Sequence, residues 1–202
     1  MSGMTVRAPR RSDVSAVNRI CFQTGYSDDE VAELRPTPDL LGLVWADPYL
    51  AFAPQWCRVA VDGQGVAGYL LAVPSTRDFD RWAQAEWWPG LQVDHPVDAP
   101  RLSPADRAVA RLLVTPPASP EPIVEPFPAH LHIDFLPRAR GLGLAGRLIH
   151  DLVDRLAAAR VPGVHLGVAP RNTNAIGFYE HLGFERLRTE PDTIWMGRRT
   201  GA

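Results

Sequence analysis

The stretch from His130 to Leu156 constrains the fold most, because an apolar extended run passes through a turn into a long one-sided helix. His130-Leu131-His132-Ile133-Asp134-Phe135-Leu136 reads as a strand and Pro137-Arg138-Ala139 as the turn after it. Leu144, Leu148, Leu152 and Leu156, with Ile149 and Val153 beside them, recur at three- and four-residue steps and so share one helical face. Between strand and helix stands Arg140-Gly141-Leu142-Gly143-Leu144-Ala145, where glycine replaces side chains in the opening turn.

Glycine lets a backbone approach a ligand closely, and the first amides of a helix lack intrahelical partners and carry the positive end of its dipole. Such a turn is a ready anion site. The alternative is that Gly141 and Gly143 serve only a tight loop, and the glycine pattern alone does not choose between the two.

The 202 residues, 46% of them hydrophobic, fit one domain with a real core. Net charge is -2, so no basic stripe argues for a grip on nucleic acid, and no nucleic-acid partner is expected. No run approaches 18 apolar residues, and Met1-Ser2-Gly3-Met4-Thr5 does not begin a signal peptide, so no membrane span is expected and a cytoplasmic location is. Cys21 and Cys57 are too few for a zinc pattern and read as core thiols; no metal is expected. All 21 basic residues are arginine, which points to a GC-rich coding genome of the bacterial kind.

Taken in order, Thr5-Val6-Arg7-Ala8 is a short strand. Arg11-Ser12-Asp13 caps a helix bearing Val14, Val17, Ile20 and Cys21 on one face and ended by Gly25. A second helical stretch is expected after Asp28-Asp29-Glu30, and a third piece from Pro38-Asp39 with Leu40, Leu41 and Val44 inward. Cys57 to Val61 and Val66 to Val73 form an antiparallel pair about the turn Asp62-Gly63-Gln64-Gly65. Residues from about 74 to 128 read as a helical and proline-rich insertion packed on the main sheet, with helices over Asp78 to Trp88 and from Ser103-Pro104 onward. Six prolines between Pro116 and Pro128 make that connector extended or looped. Trp82, Trp87 and Trp88 are either a stacking platform or packing anchors. Val164 to Val168 is a strand parallel to the central one, Pro170-Arg171-Asn172 caps a helix stopped by Gly183, and Phe184 to Met196 closes as a hairpin. The fold class is therefore α/β with a mixed, mostly antiparallel sheet, one parallel strand pair and helices on both faces, in a single domain over 1–202.

Gly141-Leu142-Gly143-Leu144-Ala145-Gly146 literally fits G-x-G-x-x-G, but a dinucleotide fold fails on context. The next strand ends in Ala169-Pro170 with no acid for a ribose, and the chain then enters an antiparallel hairpin. Arg140-x-x-Gly143-x-Ala145 instead resembles the Q/R-x-x-G-x-G/A signature of the GNAT superfamily of acyl-CoA-dependent N-acyltransferases. Asn172 to Phe184 resembles that family's downstream block. A narrower resemblance, through Ile20 to Gly25, Pro38 to Gly42, Pro48-Tyr49-Leu50, Leu131 to Asp134 and Phe178-Tyr179, is to the acetyltransferase-like domain at the C-terminal end of animal O-GlcNAcases. That domain is regarded as a pseudo-acetyltransferase with an eroded pyrophosphate loop, whereas the loop here matches the active pattern.

The resemblance implies acetyl-CoA as cofactor and an amine-bearing small molecule or peptide as acceptor, in a monomer or homodimer. Arg140 and the amides of Gly141, Leu142, Gly143, Leu144 and Ala145 would hold the pyrophosphate. Backbone of Phe135 and Leu136 would pair with the pantetheine arm, helped by Asn172, Asn174 and Phe178. Acyl transfer needs a deprotonated amine and a protonated leaving thiolate. Asp134, with Ile133 and Phe135 turned to the opposite face, is placed as general base or substrate anchor, against a plain structural pairing. Tyr179, two turns after Asn172, is placed as general acid, against a packing role. Asn172 is equally a helix cap, and His132 is either a proton relay or a satisfied core histidine. Eight acidic residues against five arginines in Pro74 to Pro128 favour a cationic acceptor. The rival reading is a silent acyl-CoA sensor or interaction module.

Overall fold

A computed structural model describes residues 3–26, 33 and 37–201 of the chain. The helical stretch expected after Asp28 falls outside those residues. The first strand, β1 (Thr5–Arg7), leads through a 3-10 turn into α1 (Val14–Gly25). Asp13 ties this start together rather than capping α1. Its carboxylate accepts from the Arg7 guanidinium at 2.6 and 2.9 Å and from the Arg10 amide at 2.7 Å. Val17, Ile20 and Cys21 are buried on the helical face that their spacing marks out.

Two short helices follow, α2 (Gly42–Trp45) and α3 (Asp47–Phe52), the second of which no periodicity announced because six residues are too few to show one. Strands β2 (Arg58–Asp62) and β3 (Gly65–Val73) pair antiparallel about the expected turn, with a bulge at Ala60/Val61. Next come α4 (Thr76–Trp82), a π-helical turn over Ala83–Trp87 and α5 (Trp88–Asp94), so the helical stretch is longer than Asp78 to Trp88. Pro89 explains the π turn: it has no N–H to donate, and its ring would strike the carbonyl four residues back in a regular α-helix. Helix α6 (Pro104–Val114) has Ser103 accepting from the Asp106 amide, and one helical turn, α7 (Glu121–Val124), interrupts the connector that the prolines made look wholly extended.

The central unit is β4 (Ala129–Phe135), α8 (Leu144–Ala158) and β5 (Gly163–Val168), followed by α9 (Thr173–His181), β6 (Glu185–Thr189) and β7 (Ile194–Arg199). Among the described residues these strands make one seven-stranded sheet ordered β1-β2-β3-β4-β5-β7-β6. Only β4 and β5 run parallel.

The alternation of β4 decides which residues meet which layer. Leu131 and Phe135, with Ile133 partly buried, pack with α8 and α9 in one core cluster, joined by Leu148, Ile149, Leu152 and Met196. His130, His132 and Asp134 therefore face the other layer, where Val17, Ile20, Tyr49, Tyr69 and Phe79 form a second cluster. Residues 74–128 contribute to a third: Trp88, Val109 and Leu113 bury Leu40 and Val44 of the α2 segment. The tryptophans of the 74–128 segment act as anchors. Trp88 is buried, and Trp87 donates its indole N–H to the Leu43 carbonyl at 3.0 Å. This segment thus packs on the α2 segment as well as on the sheet, because Leu40 and Val44 offer it an apolar surface. Cys21 and Cys57 are free buried thiols.

Candidate active site

The parallel ladder between β4 and β5 holds at two positions, Ala129↔Val164 and His130↔His165, and then ends. Leu131 to Phe135 on one strand and Leu166 to Val168 on the other diverge past that point. The Leu136 amide bonds the Ala67 carbonyl on the β3 side at 2.8 Å. By alternation, Ile133 and Phe135 turn their backbone groups toward the gap. Leu136 is already satisfied, since its carbonyl also accepts from the Ala139 amide at 2.9 Å.

At the mouth of this gap α8 begins. Gly141 (φ 73°) and Gly143 (φ 67°) both adopt the left-handed region that glycine enters without strain, and a β-carbon on either would meet open space. Gly143 is the N-cap residue of α8, no side chain caps the helix, and its first turn carries no acid. The leading amides are therefore not neutralised by a side chain. Leu142 is exposed while Leu144 is buried, which pins the loop from beneath. Arg140 reaches back across the gap edge, donating Nε–H to the Phe135 carbonyl at 2.8 Å.

Asp134 lies on the α1 side of β4. Its carboxylate accepts the Tyr69 hydroxyl at 2.7 Å, and burial lifts its pKa from 3.8 to about 6 despite that bond and the Thr24 hydroxyl and Arg140 charge nearby. It lines a cavity of about 210 Å³ with Cys21, Thr24, Gly25, Leu41, Trp45, Tyr69 and His132. Cys21 stays a thiol, pushed up to about 12 chiefly by burial.

Tyr179 comes from α9, on the far side of the gap. It is buried between Phe178 and Phe184, with ring centroids 5.5 and 5.6 Å away. Burial raises its pKa, and the Asp134 carboxylate raises it further, so the two groups lie within electrostatic reach of each other. Asn172 caps α9, its Oδ1 accepting from the Ala175 amide at 3.1 Å, while Asn174 is exposed in the first turn and Phe178 is half-buried.

His132 belongs to a buried polar chain that sequence reasoning did not assemble. Tyr49 Oη sits 2.8 Å from both His132 Nε2 and His130 Nε2, and His130 Nδ1 is 2.8 Å from Thr76 Oγ1. Thr76 Oγ1 donates to the Pro128 carbonyl at 2.8 Å. Burial holds His132 at about 4 and His130 well below the usual imidazole range, so both rings are neutral near pH 7. Thr24, Tyr49, Trp45 and Tyr69 were not singled out as site residues. Thr24 and Tyr49 do lie in the segments that carry the narrower resemblance; nothing local marks Trp45 and Tyr69.

Residues 106–184 match the Acetyltransferase (GNAT) family. The chain is 25% identical over 200 residues, 96% of its length, to protein O-GlcNAcase of Rattus norvegicus, and spans 22% of that relative's length. Among solved structures, SsHAT superposes with a TM-score of 0.83 at 30% identity, covering 99% of this chain and 100% of that one. A GNAT superfamily phosphinothricin acetyltransferase from Sinorhizobium meliloti, in complex with AcCoA, superposes at 0.56 with 17% identity over 97% of this chain and 88% of that one, which shows the shared fold. With the family match lying over the split strands and the bare helix start, and a 30% identical relative covered from end to end, the chain belongs to the GNAT acetyltransferase family.

Proposed function

We propose that the protein is an acetyl-CoA-dependent N-acetyltransferase that moves an acetyl group directly to a primary amine, working as one domain over 1–202 with the 74–128 segment as an insertion. The observation that carries this reading is the parting of β4 from β5 after His130↔His165, with an uncapped helix start at the mouth and Asp134 and Tyr179 on opposite sides of the gap. The donor fits these residues: open space beside Gly141 and Gly143 leaves room for a diphosphate against the amides of Gly141 to Ala145, with Arg140 alongside. Leu136 has no free backbone group toward the gap, so the pantetheine contact falls to Phe135 and Ile133. Asn174 and Phe178 flank it from α9, and Asn172 keeps that helix start in place.

When bound, acetyl-CoA supplies an acetyl group activated as a thioester. Asp134 holds the acceptor's ammonium and takes its proton; a carboxylate at about 6 is ionised at neutral pH yet basic enough for that exchange. Tyr179 keeps its phenolic proton at neutral pH and delivers it at the thiol end of the gap.

Steady-state acetyl transfer to a panel of amines tests the reading. Asp134→Asn and Tyr179→Phe should each lower kcat by about 10²-fold or more; unchanged rates in both remove the assigned roles. The likeness to O-GlcNAcase over nearly the whole chain favours a second reading, a catalytically silent acyl-CoA-binding module. Calorimetric binding of acetyl-CoA without turnover on any amine would select it.

A further inference from the structure

The buried chain behind His132 fixes where its protons are. Thr76 Oγ1 lies 2.8 Å from the Pro128 carbonyl, and a carbonyl cannot donate, so the Thr76 proton points there. The same oxygen must then accept from His130, which places the His130 proton on Nδ1. A neutral ring carries only one, so His130 Nε2 is an acceptor and the Tyr49 hydroxyl donates to it. Tyr49 Oη is left to accept, and His132 therefore carries its proton on Nε2. Its Nδ1 is a bare lone pair. Among the described residues no hydrogen bond reaches that nitrogen, and the ring lines the cavity beside Asp134.

Two further cavity groups have their protons turned away as well. The Tyr69 hydroxyl is committed to Asp134 Oδ2. The Thr24 hydroxyl donates to the Ile20 carbonyl at 2.8 Å, with the Cys21 carbonyl at 3.3 Å and the Asp134 carboxylate as its other acceptors, so its proton is spent on the protein whichever it takes. A carboxylate, an imidazole lone pair and a hydroxyl oxygen thus face one cavity of about 210 Å³ as acceptors.

We infer that Asp134, His132 and Thr24 form a three-acceptor seat for a primary alkylammonium, with His132 as a specificity-determining contact whose tautomer is locked by the chain Tyr49–His130–Thr76–Pro128. Three N–H donors on one positive centre match three acceptors beside one negative charge; an alcohol offers one donor and no charge, and a tertiary ammonium offers one donor. This inference rests on the proposed acceptor site, but it concerns the amine side alone.

The test uses nitrogen-15 NMR of the imidazoles in the whole chain and titration with n-butylammonium and with n-butanol, a neutral probe of the same length. The His132 ring should show the Nε2–H tautomer, Tyr49→Phe should release it to a mixture, and n-butylammonium but not the alcohol should move the Nδ1 resonance. Thr24→Val and His132→Leu should each weaken n-butylammonium by about tenfold or more, the scale of one hydrogen bond to a charged group. An Nδ1–H tautomer at His132, or equal binding of the alcohol, overturns the seat, even if His132→Leu fails to fold. Calorimetry with acetyl-CoA separates the two claims: binding of the coenzyme with a failed seat leaves the acyltransferase reading standing, and the reverse outcome removes that reading alone.

Discussion

Replacing Asp134 by asparagine should stabilise the protein while silencing it. The carboxyl's pKa rises from 3.8 to about 6 on folding, a little over two units, which corresponds to a ceiling of about 3 kcal/mol of strain against the ionised form. Asp134 is only half-buried and its cavity admits water, so screening trims this to about 1–2 kcal/mol. The sign follows from linkage. A carboxyl whose folded pKa exceeds its unfolded one binds more protons in the folded state, so stability falls as pH rises from 3.8 through 6 and levels off above. Asparagine is neutral throughout, and its Oδ1 can still accept the Tyr69 hydroxyl. Thermal melts should therefore show Asp134→Asn higher in Tm by about 2–8 °C at pH 8, at about 2–4 °C per kcal/mol for a chain of this size, with the gap closing toward pH 4. A variant less stable than the parent at pH 8, or a gap independent of pH, would refute the reasoning that burial outweighs the Tyr69 and Thr24 hydroxyls and the Arg140 charge in setting this carboxyl's behaviour.

Tyr69→Phe removes the donor that holds Asp134 down, so the acid limb of kcat/KM should move to higher pH; a limb that stays put would show that Asp134 is not the titrating base. Gly68→Ala puts a β-carbon 2.2 Å from the Phe135 ring, so it should lower stability by about 1–3 kcal/mol in urea melts and weaken acetyl-CoA binding by pushing Phe135 into the gap. Gly143→Ala forces a left-handed alanine at the head of α8, a strain of about 1–2 kcal/mol, and should weaken acetyl-CoA in calorimetry even though nothing obstructs its methyl group; unaltered affinity would argue that the loop does not grip the diphosphate.

Short-range pattern carried much of this protein. The face formed by Leu144, Leu148, Leu152 and Leu156, the turn at Asp62 to Gly65, the Asn172 cap and the parallel placement of β5 follow from periodicity, turn chemistry and crossover handedness, each of which acts within a few residues or one connection. The alternation that set Ile133 and Phe135 against His132 and Asp134 was legible for the same reason. Helix α3 and the turn at α7 were not, because four to six residues show no period. The π turn before Pro89 needed the backbone itself.

What only the tertiary structure decided is the company each polar group keeps. Tyr69 reaches Asp134 across 65 positions of chain, and Tyr49 reaches His130 and His132 across 81 and 83. Where a proton sits, and whether a carboxyl is costly to ionise, depends on neighbours that no local pattern encodes. Folding packs α1 and α3 on one face of the sheet and pairs β3 along the edge of β4, and the cavity's chemistry exists only after they meet.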